Sequence, residues 1–141
     1  MTTNEKSPGW TIAAVLAARL IFAAIFIMAV SFKLMGIGST AAYIAAAGFP
    51  MATLLAWLAA LLELALIAGF LTGAYFSETA LVAAAYVLFL GFAFHGPSHW
   101  AKNQDEFGFF TDHITFIAGL LFAAAHGPGR ALAMDRGFLK R

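Results

Sequence analysis

Arg19 and Glu63 are the residues of this sequence whose chemistry fits least with their surroundings. Arg19 lies inside the apolar run Thr11–Phe32, and Glu63 inside the apolar run Pro50–Leu71. A charge held at mid-bilayer costs about 2.5–3.5 kcal/mol on insertion scales. Such residues face the interior of a helix bundle, find a partner there, and mark a binding or proton-handling site. Arg19 is eight residues beyond Thr11 and Glu63 eight residues before Leu71. If the two runs are antiparallel helices, each charge sits about 12 Å from the same face at about 1.5 Å per residue. The expectation is an intramembrane Arg19–Glu63 ion pair. That pair could simply lock two helices together. It could also line a pocket in which the guanidinium donates to a ligand oxygen and the carboxyl exchanges a proton.

A second polar group gathers toward the opposite face. Lys33 ends the first run and is placed to snorkel there. His95 ends the third run, while Asp112 and His113 open the fourth. The spacing of His95 and His99, i and i+4, would suit a metal on an unbroken helix. Gly96-Pro97 interrupts that helix, so no metal site is assigned and the histidines are read as interfacial hydrogen-bonding groups. His126, beside the turn Gly127-Pro128-Gly129, is placed to satisfy the last carbonyls of its helix.

The elements that must position these groups are four membrane spans, since crossing a bilayer takes about 20 mostly apolar residues. They are expected over Thr11–Phe32, Pro50–Leu71, Thr79–His95 and Phe110–Ala125, the last being short. Pro50 suits a first helical turn, where its missing N–H costs nothing. The connection between the first two spans contains Ala41-Ala42-Tyr43-Ile44-Ala45-Ala46-Ala47, an apolar helical stretch expected at the membrane interface or the rim of the bundle. The fold class is therefore all-α, an integral membrane bundle of four transmembrane helices. Residues 1–10 form an N-terminal tail, 11–126 the transmembrane domain and 127–141 a C-terminal tail.

Composition agrees. Of the 141 residues, 62% are hydrophobic and 11% charged, where a soluble domain carries about 25% charged residues. Lipid solves the problem of coating such a chain. The net charge of +1 and the lack of a basic, aromatic-interleaved stripe exclude a nucleic-acid partner. Zero cysteines exclude disulfide, thiolate-metal and cysteine redox chemistry within the chain. The first run is too long for a signal-peptide core and is read as a retained helix. Lys6, Arg130, Arg136, Lys140 and Arg141 share the side of the termini, against Lys33 and Lys102 opposite. This places both termini in the cytoplasm, and the absence of an organelle-targeting signal suggests a bacterial inner (plasma) membrane.

Arg19-Leu20 followed by Lys33-Leu34, then Gly48-Phe49-Pro50, Glu63-Leu64 with Gly69 and Gly73, His95, and Gly127-Pro128-Gly129 with Asp135 follow one another in an order that resembles the DoxX family. The resemblance runs from Ala18 to Asp135. It departs where many members carry Lys-Asn at the start of the fourth helix and this chain carries Asp112-His113. It implies a four-helix membrane protein. Because members include a subunit associated with thiosulfate:quinone oxidoreductase, it also implies a quinone-interacting subunit of a membrane oxidoreductase. No covalent cofactor is implied. Quinone would be the ligand, and a soluble or membrane oxidoreductase partner would supply electrons. The alternatives are a non-catalytic scaffold, assembly factor or cargo receptor, and a small proton-coupled transporter acting as a homo-oligomer.

Overall fold

A computed structural model describes residues 8–134 and 136–139. Its elements are α1 (Gly9–Met35), α2 (Ile37–Ala46), α3 (Ala52–Thr72), α4 (Phe76–His95), α5 (Pro97–Trp100) and α6 (Asp105–His126). No strand occurs among the described residues. Four segments are long and apolar enough to cross a membrane: Gly9–Met35, Ala52–Thr72, Phe76–Trp100 and Asp105–His126. The chain is thus an integral membrane bundle of four transmembrane helices. Its girth is covered by exposed Leu, Ile, Met and Phe side chains, which lipid can solvate and water cannot.

The helices pack α1 on α3, α3 on α4 and α4 on α6, and α2 lies against α3. Buried aromatic rings fill the centre. Phe22 meets Phe70 and Phe116 at centroid distances of 5.4 and 5.5 Å, Phe26 stacks on Phe70 at 5.9 Å, and Phe76 meets Phe70 edge-on. Small residues let the backbones approach. A Cβ added to Gly69 of α3 would overlap the Thr79 side chain of α4, so glycine there sets the α3–α4 spacing, as small residues do between membrane helices.

The apolar connection between the first two spans is helical, as expected. Its Ala41 and Ile44 pack with Ala56 of α3, and Phe49 and Phe94 close the cluster. Three boundaries differ from expectation. Pro50 precedes α3, because Met51 adopts a left-handed conformation (φ 51°) and breaks the chain there. The third transmembrane helix starts at Phe76. The fourth starts at Asp105, ahead of the expected Phe110, because two carboxylates, Asp105 and Glu106, occupy its first turn. There they oppose the positive end of the helix dipole, and the Asn103 side chain accepts from the Asp105 N–H at 3.0 Å. The hydropathy of this stretch alone reads as a loop. Asp112 and His113 consequently lie well inside α6.

The segment after α6, expected as a tail, is docked on the bundle end that carries both chain ends (the termini end). Met134 N–H donates to Thr72 O at 2.8 Å, and the Phe138 and Leu139 amides donate to Glu78 Oε1. Arg19 is the centre of this arrangement. It is 2% exposed and donates from all three guanidinium nitrogens to backbone carbonyls: Nε to Phe70 O (3.2 Å), Nη2 to Leu71 O (2.9 Å) and Leu132 O (3.0 Å), and Nη1 to Pro128 O (3.2 Å) and Ala131 O (2.7 Å). The last carbonyls of a helix lack partners within it and carry its negative dipole end. The α3 C-terminus therefore receives the cation and its donors together. Lys6, Asp135, Lys140 and Arg141 lie outside the described residues.

Arg19→Met leaves carbonyls of α3 and of the tail unpaired and is expected to cost about 3 kcal/mol or more, with Arg19→Lys recovering part. Thermal unfolding in detergent reads the cost, and faster proteolysis beyond Gly127 reads release of the tail. Gly69→Ala is expected to lower the melting temperature, and adding Thr79→Ala to restore most of it. Equal losses in the single and double variants would remove close packing as the reason for Gly69.

Candidate functional site

Arg19 and Glu63 do not pair with each other. The reason lies in helix geometry. The Cα–Cβ bond of a helical residue tilts toward the N-terminus of its helix. Contacts of Arg19 with the Phe70 level and of Lys33 with Glu63 show that α1 and α3 run antiparallel. Arg19 therefore leans toward the termini end, where the α3 carbonyls lie. Glu63 leans the other way, toward the opposite, loop end, and Lys33 leans down to meet it. The depth count also fails, because α1 begins well beyond the level at which α3 ends: Arg19, ten residues into α1, is level with the last turn of α3.

Glu63 is 1% exposed and forms a salt bridge to Lys33 Nζ at 2.8 Å. Tyr86 of α4 donates to the same oxygen, Oε1, at 2.9 Å. Glu63 Oε2 is buried with no hydrogen-bond partner among the described residues. Lys33, expected to snorkel outward, instead turns inward because a buried carboxylate lies within its reach and an unpaired one would be costly. Neither Lys33 nor Tyr86 is marked as a partner of Glu63 by sequence spacing. A tyrosine in mid-span was the signal available.

Lys33 and Tyr86 form part of the wall of a cavity of about 660 Å³ at the loop end, which His95 and His113 also line. The expected loop-end cluster is thus assembled in three of its four members. Asp112, one position from His113 on α6, is exposed and does not line the cavity. Its place as the acidic member is taken by Glu106, whose Oε2 lies 2.5 Å from His95 Nδ1. Glu106 lies in the polar first turn of α6, whose hydropathy resembles that of a loop and hides it in the sequence. The two imidazoles lie 5.1 Å apart, centroid to centroid. His113 Nδ1 bonds to Phe109 O at 2.7 Å, and its Cβ packs near Gly91 of α4, where an added Cβ would come within 3.2 Å. Trp100 of α5 donates to His95 O at 2.8 Å and ties down the end of α4. His99 lies on α5, away from the cavity wall, and His126 contacts the Gly127 carbonyl at the termini end.

The remaining wall is mixed. Ser39, Thr40 and Tyr43 come from α2, and Phe32, Met35, Leu90 and Phe94 are apolar. The Tyr43 hydroxyl is held in its protonated form above the ordinary tyrosine range by burial and then by the Glu106 charge. An apolar groove of about 260 Å³ adjoins the cavity, and the two share Ala59, Tyr86, Leu90 and Phe94. The arrangement can hold one small molecule with a polar end against Lys33 and the histidines and an apolar end in the groove.

Breaking the buried pair from one side is expected to be worse than removing both charges. Lys33→Met should destabilise by about 3–5 kcal/mol, the cost of an uncompensated buried charge. Lys33→Met with Glu63→Gln, which keeps an acceptor for Tyr86, should cost clearly less. Additive losses in a double-mutant cycle would mean that the pair is not coupled.

The family model described as DoxX matches residues 14–96, a stretch that includes Arg19, Lys33, Glu63, Tyr86 and His95 and excludes Glu106 and His113. The Inner membrane protein YqjF of Escherichia coli (strain K12) is 36% identical over 126 residues, covering 86% of this chain and 89% of that protein. No solved structure matches the chain. With the family model spanning more than half of the sequence and a relative similar over most of both chains, the chain belongs to the DoxX family.

Proposed function

We propose that the chain is a quinone-binding membrane subunit of an oxidoreductase, held in a bacterial inner membrane with both termini in the cytoplasm. The observation that carries the ligand class is the continuity of a polar-walled chamber with an apolar groove through Ala59, Tyr86, Leu90 and Phe94. Such a site suits a molecule with a compact polar head and a hydrocarbon tail, and its size is typical of small-molecule pockets. A phospholipid fits less well. The cation of the chamber, Lys33, is already matched by Glu63, so no uncompensated positive charge waits for a phosphate. A quinone headgroup is uncharged and needs only hydrogen bonds.

Interconversion of quinone and quinol moves two electrons and two protons. The carboxylate-backed Lys33, Tyr86 and His95 are placed to exchange protons with the ligand. With no cysteine in the chain, a partner oxidoreductase carrying its own redox group supplies or removes the electrons. The inner-membrane location is supported by the name of the Escherichia coli relative. The orientation is supported by Arg130 and Arg136 at the termini end. Lys33 is taken up in a buried pair, which leaves Lys102 as the basic residue in the loop-end connections among the described residues, and the basic side of a membrane protein faces the cytoplasm.

Native mass spectrometry of the protein released gently from its own membranes tests this reading. A bound quinone is expected, and it should be lost in Leu90→Trp, which fills the neck between chamber and groove while the protein stays monodisperse. A stable partner subunit without any quinone would favour the non-catalytic scaffold instead. Quinone retained undiminished by the Leu90→Trp variant would place the ligand elsewhere.

A further inference from the structure

Two imidazole nitrogens of the chamber have their hydrogen-bonding sense set by their neighbours, and this specifies the ligand more closely than its shape does. His113 Nδ1 faces a backbone carbonyl, Phe109 O. A carbonyl only accepts, so Nδ1 carries the hydrogen, and in the neutral ring Nε2 is a bare acceptor. His95 Nδ1 faces the Glu106 carboxylate, which also accepts, so the neutral His95 ring has the same tautomer. Both rings line the chamber, and neither Nε2 has a partner among the described residues. Tyr86 spends its hydroxyl hydrogen on Glu63 Oε1, which leaves its oxygen to accept as well. The wall also carries donors: Lys33, with one of its hydrogens directed to Glu63, and the hydroxyls of Tyr43 and Ser39.

We propose that the chamber selects the reduced, dihydroxy form of the quinone, with ligand hydroxyls donating to Nε2 of His95 and His113 while Lys33 donates to a ligand oxygen. This rests on the quinone reading and adds the redox form to it. A quinone has only acceptors to offer. Placed against two bare imidazole nitrogens and the Tyr86 oxygen, it would leave them desolvated and unpaired. A site built to pair with hydroxyls rejects an analogue that lacks them. The quinol satisfies acceptors and donor at once.

The test uses the full chain in lipid nanodiscs, without oxygen, and two probes: a decyl-substituted benzoquinol and the matching benzoquinone. The quinol is expected to bind at least about tenfold more tightly than the quinone, and a third probe, the quinol dimethyl ether, which lacks the hydroxyl hydrogens, is expected to lose that advantage. The variants His95→Phe and His113→Phe should each reduce the ratio. Quinone binding as well as or better than quinol would overturn the proposal while leaving the quinone reading intact. Failure of both quinol and quinone to bind would overturn both. A dimethyl ether that binds as tightly as the quinol would also overturn it, even if the variants fail to fold.

Discussion

A charge buried in a bilayer must find its partners within the chain, and the direction in which helical side chains lean decides which partners it can reach. In this bundle the rule separates two charges that share a pair of helices. α1 and α3 are antiparallel, so Arg19 and Glu63 lean apart. Each is then completed from its own end of the molecule, Glu63 by Lys33 and Tyr86 and Arg19 by backbone carbonyls. The rest of the structure follows from this division. Lys33 is drawn inward from its helix end, and the segment after α6 is folded back to supply Pro128, Ala131 and Leu132 carbonyls to the guanidinium.

The two ends consequently differ in kind. The termini end is closed by a cation surrounded by backbone acceptors, with five hydrogen bonds from its guanidinium. Backbone carbonyls do not change protonation, so this end is a fastening. The loop end is lined by ionisable side chains, Lys33, His95 and His113 among them, and it surrounds a cavity of about 660 Å³. Its histidines are each held at Nδ1, which fixes what the opposite nitrogen offers. An apolar groove adjoins this cavity and shares four of its lining residues, which is the geometry on which the proposed ligand class rests.

The spans themselves are plain in the sequence, because a run of about 20 apolar residues matches the thickness of a bilayer and little else in a chain this short. Gly127-Pro128-Gly129 marks the end of the last helix, and the apolar stretch around Tyr43 is helical as its composition suggests. The charged residues of interest are also visible as anomalies: Arg19 and Glu63 by their apolar neighbours, Lys33, His95 and His113 by their place at the ends of apolar runs. Their pairing is not. Counting residues from helix ends assumes that the ends are level, and α1 overshoots α3 by about two turns, since Arg19, ten residues in, meets the last turn of α3. Glu106 escapes notice because polar first turns of membrane helices look like loops to a hydropathy count. Asp112 joins the expected cluster only through its adjacency to His113 in sequence, whereas on a helix successive residues point in directions about 100° apart.

The pairing of Glu63 with Lys33 is the point on which the proposed ligand class depends. Solid-state nuclear magnetic resonance of the protein in lipid bilayers, with nitrogen-labelled lysine and arginine and carbon-labelled glutamate carboxyls, measures it directly. The account predicts a strong dipolar coupling between the Glu63 carboxyl and the Lys33 ammonium, in keeping with a 2.8 Å contact, which disappears in Lys33→Met. A coupling of the Glu63 carboxyl to the Arg19 guanidinium in its place would contradict it.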